Sequence, residues 1–380
     1  MELLYRSKAD MMSQLLINRP LATALRQACP AVVVAIPARN EADRIGPCLT
    51  ALNRQQYRPD TVVLLLNNCT DETEIIARAL APRLRFRLHL ICRDLPPDQA
   101  NAGHARRLAM AIAAAHAGPD GMLLTTDADT ILPPDWVERN LVALQNGADL
   151  VCGRIVLDPA EAALIPAHLH EDDARECCLI GLLDEIAWIV DPDPYDPPPR
   201  HTEAAGASLA VSADAFKRVG GLPALPSGED RAFVDALRRI DARIRHDPAI
   251  EVMVSGRLLG RAEGGMADTI RRRMVRQDEF TDEQVEPAGK ALHRVMLRCR
   301  ARSAWSDRFA DSALAADLDL DPAFLALALS RPFFGAAWAE LEARSAALRR
   351  QPVRFVNLPA EIKAARRLLY RLAPEAMAAD

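Results

Sequence analysis

The sequence predicts an α/β fold, a mostly parallel sheet with helices on both faces. Three observations predict it. Short continuous apolar runs recur, as in AVVVAI and TVVLLL, which is how strands buried on both faces read. Segments of helical length separate them at close to 30 residues per unit, the spacing of repeated strand–helix crossovers. Each run also ends in a polar turn, and open parallel sheets bind ligands at the carboxyl ends of their strands.

The elements follow in order. The first 30 residues read as a short helical preface. Ala31 to Ile36 reads as a strand and Glu41 to Gln55 as a helix. Thr61 to Leu66 and Asp71 to Leu80 repeat the pair. Phe86 to Cys92 alternates as a third strand, and the alanine- and leucine-rich stretch from Ala100 to Ala117 as the next helix. Met122 to Thr126 is a fourth strand. Beyond it the pattern loosens. Residues 160–185 read as an acidic helix, and 190–200 (VDPDPYDPPPR) holds five prolines, too dense for a helix, so an exposed loop is expected. Ala207 to Val211 reads as a strand, 229–242 as a helix and Ile250 to Val254 as a last strand. From 266 onward the text is helical and arginine-rich.

Composition bounds the function. The chain has 380 residues, a formal net charge of -5 and a pI near 6.0, so no global basic field argues for nucleic acid. Nearly all positive charge is arginine, whose planar fork suits phosphate and carboxylate. Eight scattered cysteines without a CxxC pair read as reduced thiols, consistent with a cytoplasmic protein. The opening MELLYRSKAD shows no signal-peptide pattern, and no run of 18 apolar residues exists, so no transmembrane segment is expected. Peripheral contact with a membrane is left open.

The chemistry gathers at the strand ends. The first strand leads into Pro37, Arg39 and Glu41, the second into Asn67 and Asn68, and the fourth into Asp127 and Asp129. Two carboxylates two residues apart just past a strand can share a hard divalent cation with substrate phosphates. They can equally serve as an Asx turn or a helix cap. Glu229 and Asp230 open a helix, where the positive helix end keeps a carboxylate ionised; that suits a base or an ordinary first-turn residue. The run SGRLLGRAEGG interleaves glycines with Arg257 and Arg261, so backbone amides and guanidinium groups could cradle a diphosphate, or the segment is an ordinary loop. The cluster from His168 to Asp173 reads as a solvated helix face, and His201 as a ligand contact or a turn cap.

At these residues the sequence resembles glycosyltransferase family 2, a large group with the GT-A fold. The matching blocks are VVVAIPARNE (32–41), VVLLLNNCTDET (62–73), NAGHARRLAM (101–110), LLTTDADTILPPDW (123–136), GASLAVS (206–212) and GLPALPSGEDRAF (221–233). The resemblance implies a GT-A domain over 31–265 with an acceptor-side insertion at 157–205, after an N-terminal extension (1–30) and before a C-terminal helical region (266–380). It implies that Pro37, Arg39 and Glu41 lie by the nucleotide. Asn67 or Asn68 stands where many members carry a base-reading aspartate. Gly103 and Arg106 approach the nucleotide sugar. Asp127 and Asp129 form the DxD motif that holds Mn²⁺ or Mg²⁺ on the diphosphate. Asp230 is the catalytic base, with Glu229 supporting it or meeting the acceptor. The family often supplies a further metal-ligating histidine near the last strand; here Ser255 stands near that place.

The function so implied is inverting transfer of a sugar from a UDP- or GDP-sugar to an acceptor hydroxyl on a glycan, lipid, small molecule or protein. A sugar-phosphate nucleotidyltransferase would need a glycine-rich basic loop where PARNE stands, and a Rossmann dehydrogenase would need glycines in the same turn. A degenerate, non-catalytic nucleotide-sugar-binding module would be expected to lack carboxylates that Asp127, Asp129 and Asp230 here retain.

Overall fold

A computed structural model describes residues 30–258, 260, 265–275 and 278–373. The helical preface expected over the first 30 residues therefore lies almost wholly outside the described residues.

The first half follows the expected alternation: β1 (Val32–Ala38), α1 (Ala42–Asn53), β2 (Thr61–Asn67), α2 (Thr73–Leu80), β3 (Arg87–Arg93), α3 (Ala102–Ala117) and β4 (Met122–Thr125). Then come α4 (Trp136–Gln145), β5 (Leu150–Leu157), a single turn α5 (Pro159–Ala162), α6 (Ala167–Val190), β6 (Leu209–Ser212), α7 (Ala213–Arg218), α8 (Glu229–Arg238) and β7 (Ile244–Val254). The remainder is helical: α9 (Met266–Val275), α10 (Ala288–Asp307), α11 (Ser312–Asp317), α12 (Pro322–Leu329), α13 (Phe334–Arg344) and α14 (Leu358–Leu372).

The strands form one seven-stranded sheet in the order β3-β2-β1-β4-β6-β5-β7. The pairs β1–β2, β1–β4, β2–β3 and β5–β7 are parallel. β6 runs antiparallel to both β4 and β5. The two-sided apolar runs explain the layering. Val32, Val34 and Ile36 of β1 face one buried cluster, and Val33 and Ala35 face another on the opposite side. Because side chains alternate along a strand, only a run apolar at every position can feed two cores at once.

Several boundaries differ from the sequence reading. β5 and α4 were not foreseen; β5 carries Gly153 and Arg154 in its middle, where its register against β7 shifts, so it lacks a clean apolar run. β7 begins at Ile244, well before Ile250, because its first residues pair with β5 and not through an apolar pattern of their own. α8 stops at Arg238 rather than 242, and β6 starts at Leu209 rather than Ala207.

The proline loop is not simply exposed. Asp196 within it is buried, accepting from the His246 backbone N–H at 2.8 Å and pairing with its Nδ1 at 2.8 Å. Arg245 donates to the carbonyls of Pro197 (2.5 Å) and Pro199 (2.8 Å), so β7 latches the loop in place. The C-terminal helices build a core of their own around Leu314, Leu325, Phe334 and Leu341. A further cluster joins Leu358, Ala365 and Leu369 of α14 to Leu179 and Ile186 of α6.

Candidate active site

The polar turns at the ends of β1, β2 and β4 lie side by side, because these strands are neighbours and run the same way. Parallel topology alone thus gathers 37–41, 67–71 and 125–130 along one edge of the sheet. β6 enters antiparallel beside β4, so the turn that precedes it, Ala205 to Ser208, arrives at the same edge.

Arg106 of α3 is the centre of this arrangement. Its side chain is buried and its donors are engaged on four sides. Nε meets Glu229 Oε1 at 2.8 Å; Nη1 donates to Thr125 Oγ1 and to the Gly206 carbonyl, both at 2.9 Å; Nη2 meets Asp127 Oδ1 at 2.5 Å. Burial works against the guanidinium's charge, but Asp127 and Glu229 outweigh it and hold its pKa above the usual arginine value. The sequence reading placed Arg106 against the nucleotide sugar; in the structure its guanidinium is turned to the protein's own carboxylates and carbonyl.

Close approach at two glycines makes this possible. A Cβ on Gly206 would stand 2.6 Å from Arg106 Cζ. A Cβ on Gly103 would stand 2.0 Å from the Leu225 carbonyl oxygen, which binds the start of α3 to the turn before α8. Gly206 also faces the other way: its N–H donates to Asp230 Oδ2 at 2.8 Å, while Oδ1 accepts the Arg231 N–H at 2.8 Å. One glycine peptide region therefore carries Arg106 on its carbonyl and Asp230 on its amide. Gly228, with φ of 71°, turns the chain into α8 so that Glu229 points inward and Asp230 stands half-buried.

A second ion cluster lies beside the first. Glu41 is buried at the start of α1, its N–H donating to Thr73 Oγ1 at 2.8 Å. Arg257 reaches both its carboxylate oxygens, at 2.7 and 2.6 Å, and also Asp129 Oδ2 at 3.1 Å. Burial, then the nearby charge of Asp127, pushes Asp129 up to about 7 despite Arg257. The carboxylates Glu41, Asp127 and Asp129 together ask for more positive charge than two arginines bring. Among the described residues no group of three or more His, Cys, Asp and Glu side chains gathers as a metal site. Ser255 donates to Glu161 Oε2 at 2.8 Å and so is tied to α5.

The remaining expected residues separate by role. Pro37 lies within β1, and Arg39 donates to the Ala100 carbonyl at 2.7 Å. Asn68 is a structural link, its amide pairing both ways with the Leu95 backbone at 3.1 Å. Asn67 is buried and donates to the Asn101 carbonyl at 3.3 Å, while its Oδ1 is a buried acceptor with no partner among the described residues. Arg261 lies outside the described residues. His201 caps a turn, its Nδ1 accepting the Glu203 N–H at 3.1 Å, and burial followed by the neighbouring His246 lowers its pKa to about 4. The cluster at His168 stays on an exposed helix face.

Sequence reasoning missed three supports. Gln55 clamps the segment after Asp129, donating to the Pro133 carbonyl at 2.7 Å and accepting the Val137 N–H at 3.0 Å. Ser208 accepts from Trp136 Nε1 at 2.9 Å. Glu161 holds Arg44, Ser255 and the Gly256 N–H, fixing the segment that carries Arg257. None had a local signal except Ser208, which sits in the GASLAVS block.

A sequence profile described as glycosyl transferase family 2 matches residues 33–189. Among curated proteins, none matches the chain by sequence. Solved structures overlay more remotely. Residues 1–349 of S. aureus TarS in complex with UDP-GlcNAc share 16% identity, with a TM-score of 0.46, over 90% of this chain and 91% of that one. The mannosyltransferase PcManGT from Pyrobaculum calidifontis, in complex with GDP-Man and Mn²⁺, shares 17% identity, with a TM-score of 0.43, over 94% and 95%. Glucosyl-3-phosphoglycerate synthase from Mycobacterium tuberculosis, with Mn²⁺, UDP and glucosyl-3-phosphoglycerate, shares 18% identity, with a TM-score of 0.39, over 76% and 84%. Likenesses this remote carry no argument about ligand or reaction.

Proposed function

We infer, for a chain whose residues 33–189 belong to glycosyl transferase family 2, an inverting transfer of a sugar from a nucleoside-diphosphate sugar to an acceptor hydroxyl. One observation supports this reading above the others. Arg106 ties Asp127, on the donor side, to Glu229, which neighbours Asp230 on the acceptor side, through contacts at 2.5 and 2.8 Å. The two halves of a transfer site are thereby held as one preorganised unit, which is where most catalytic advantage arises.

In this reading Asp230 accepts the proton of the acceptor hydroxyl. The oxygen so freed forms its bond to the anomeric carbon while the bond from that carbon to the diphosphate oxygen breaks. The electron pair leaves with the nucleoside diphosphate, and attack opposite the leaving group inverts the centre. Asp230 suits the base because Gly206 and Arg231 fix its carboxylate by backbone N–H groups yet leave it half-exposed. Glu229 is buried against Arg106 and serves as a support. Asn67 carries an unpartnered but buried Oδ1 at the end of β2, which an N–H donor on a base would reach on a shift of the side chain. Pro37, Arg39, Glu41 and Gly103 shape the nucleotide side, and Arg257, with Arg261 beyond it in sequence, would meet the diphosphate.

The donor set fits a hard divalent cation, Mn²⁺ or Mg²⁺. Asp127 and Asp129 supply oxygen ligands, and Asp129, pushed up to about 7 by burial and by Asp127, would be relieved by added positive charge. When bound, such an ion supplies charge neutralisation on the leaving diphosphate. We take 31–265 as the transferase unit and the helices beyond it as a cover over the acceptor side.

The test is a thermal-shift screen with UDP, GDP and their sugars, with and without Mn²⁺, followed by transfer assays on Asp129→Asn and Asp230→Asn. A ligand at about 100-fold its dissociation constant stabilises by about 2.7 kcal/mol, a readable shift. A Mn²⁺-dependent shift with one nucleotide, lost in Asp129→Asn, is expected. No shift with any nucleotide in well-folded protein sinks the reading.

A further inference from the structure

Four cations line one face of α14: Lys363, Arg366, Arg367 and Arg371, spaced i, i+3, i+4 and i+8. All four are exposed, and Tyr370, 61% exposed, stands among them. The five side chains rim a shallow hollow of about 310 Å³. Among the described residues none of the four cations has a carboxylate partner. The helix's one acidic residue, Glu361, is spent elsewhere, its Oε2 accepting the Ala288 N–H at 2.8 Å. On neighbouring α10, by contrast, Arg294, Arg298 and Arg302 each hold a carboxylate.

The other face of α14 is committed. Leu358, Ala365 and Leu369 are buried with Leu179 and Ile186 of α6. The helix therefore cannot roll over to bury that face in another partner. What it presents outward is charge and one amphipathic ring, held rigid.

We propose that this face of α14 docks the protein on an anionic lipid surface. The chain carries a net charge of -5, so the stripe is a local excess against the global sign. From Lys363 to Arg371 it spans about 12 Å at 1.5 Å per residue. A short, flat basic stripe with a tyrosine at its centre matches the phosphate plane of an anionic leaflet and its interfacial zone. A nucleic acid strand asks for a longer track of cations with several stacking aromatics, and only one aromatic stands here. Four cations without an inserted apolar face give reversible attachment, not anchoring. Among the described residues no helix is long and apolar enough to cross a membrane.

The experiment is co-sedimentation of the full chain with vesicles of equal parts phosphatidylglycerol and phosphatidylcholine, and with phosphatidylcholine alone. Three proteins are compared: the unaltered chain, Arg366→Glu/Arg367→Glu, and Arg85→Glu/Arg87→Glu. The last pair lines a second basic cleft, with Arg58, at the start of the edge strand β3. Circular dichroism and melting verify the fold of each. The unaltered chain is expected to bind anionic vesicles only, more weakly as salt rises. Each cation at such a surface strengthens binding roughly five-fold, so the α14 variant should lose at least about 25-fold. The control variant should keep most of its binding. No sedimentation of the unaltered chain, equal binding to neutral vesicles, undiminished binding by the α14 variant, or equal loss in both variants each overturns the proposal. Tighter binding to an oligonucleotide through Arg366 and Arg367 also overturns it and reassigns the face.

Discussion

At the carboxyl ends of the strands Arg106 is buried and engaged on four sides. On α14, Arg366, Arg367 and Arg371 stand in solvent with no carboxylate partner among the described residues. The residue type is the same and the physics is opposite. A buried charge must be paired, and breaking such a pair costs about 3–5 kcal/mol because the partner is left uncompensated. An exposed charge contributes little to the fold and keeps its field for something outside the molecule. Whether a guanidinium is spent inside the protein or presented at its surface is therefore decided by what lies around it, not by its presence in the sequence.

Four experiments would break or sharpen that contrast, from the largest expected effect to the smallest. Asp230→Asn keeps the carboxylate's shape and removes its basicity; transfer should fall by about 10²–10⁴-fold while Mn²⁺-dependent nucleotide binding persists. Full transfer by this variant would remove Asp230 as the base. Arg106→Met leaves Asp127, Glu229 and the Gly206 carbonyl without their shared donor, and urea unfolding should report a loss of about 3–5 kcal/mol. A loss below about 1 kcal/mol would mean that the cluster relaxes into water and that the site is not held as one unit.

His201 tests a third environment, a half-buried group held in its neutral form. Its folded pKa is lowered to about 4 from an ordinary 6.5. The unfolded chain then takes up the proton first, so this group's contribution to stability is present above pH 6.5 and is lost as pH falls toward 4. In His201→Gln that contribution is absent. Between pH 7 and pH 5 the unaltered chain should lose about 1–2 kcal/mol more than the variant in urea unfolding. Parallel pH curves would place His201 in water. Finally, Arg366→Glu/Arg367→Glu should change stability by no more than about 0.5 kcal/mol, the reverse of Arg106→Met. A large loss would show that the stripe on α14 supports the fold.

Much of the candidate site was legible before the structure. Asp127 and Asp129 stood out as a spaced carboxylate pair past a strand, and Glu229 and Asp230 as an acidic helix start. Arg106 joins one residue of each pair, Asp127 and Glu229, while Arg257 meets Asp129 and the Gly206 and Arg231 N–H groups hold Asp230. Arg106 itself was legible as a candidate site residue, but its orientation was not. Four donors leading to Glu229, Thr125, Asp127 and the Gly206 carbonyl cannot be inferred from a helix sequence. Gln55 and Glu161 carried no signal, since a polar residue at a helix end or in a single turn is ordinary. The prolines rightly excluded a helix and most of the loop is exposed as expected, but the burial of Asp196 and its latch on His246 carried no local signal.

By itself the sequence determined the strand–helix order of the first half, because a run apolar at every position and a polar turn are local signals read within a few residues. It determined as well that the polar turns fall at strand ends. The tertiary structure alone decided how the second half joins. β6 enters antiparallel between β4 and β5, and β5 survives a glycine and an arginine by pairing with β7. It alone brought Arg106 to Gly206 and Glu229, 100 and 123 residues away. Contacts across such separations depend on topology and on the space a glycine leaves, and neither leaves a trace in the neighbouring residues.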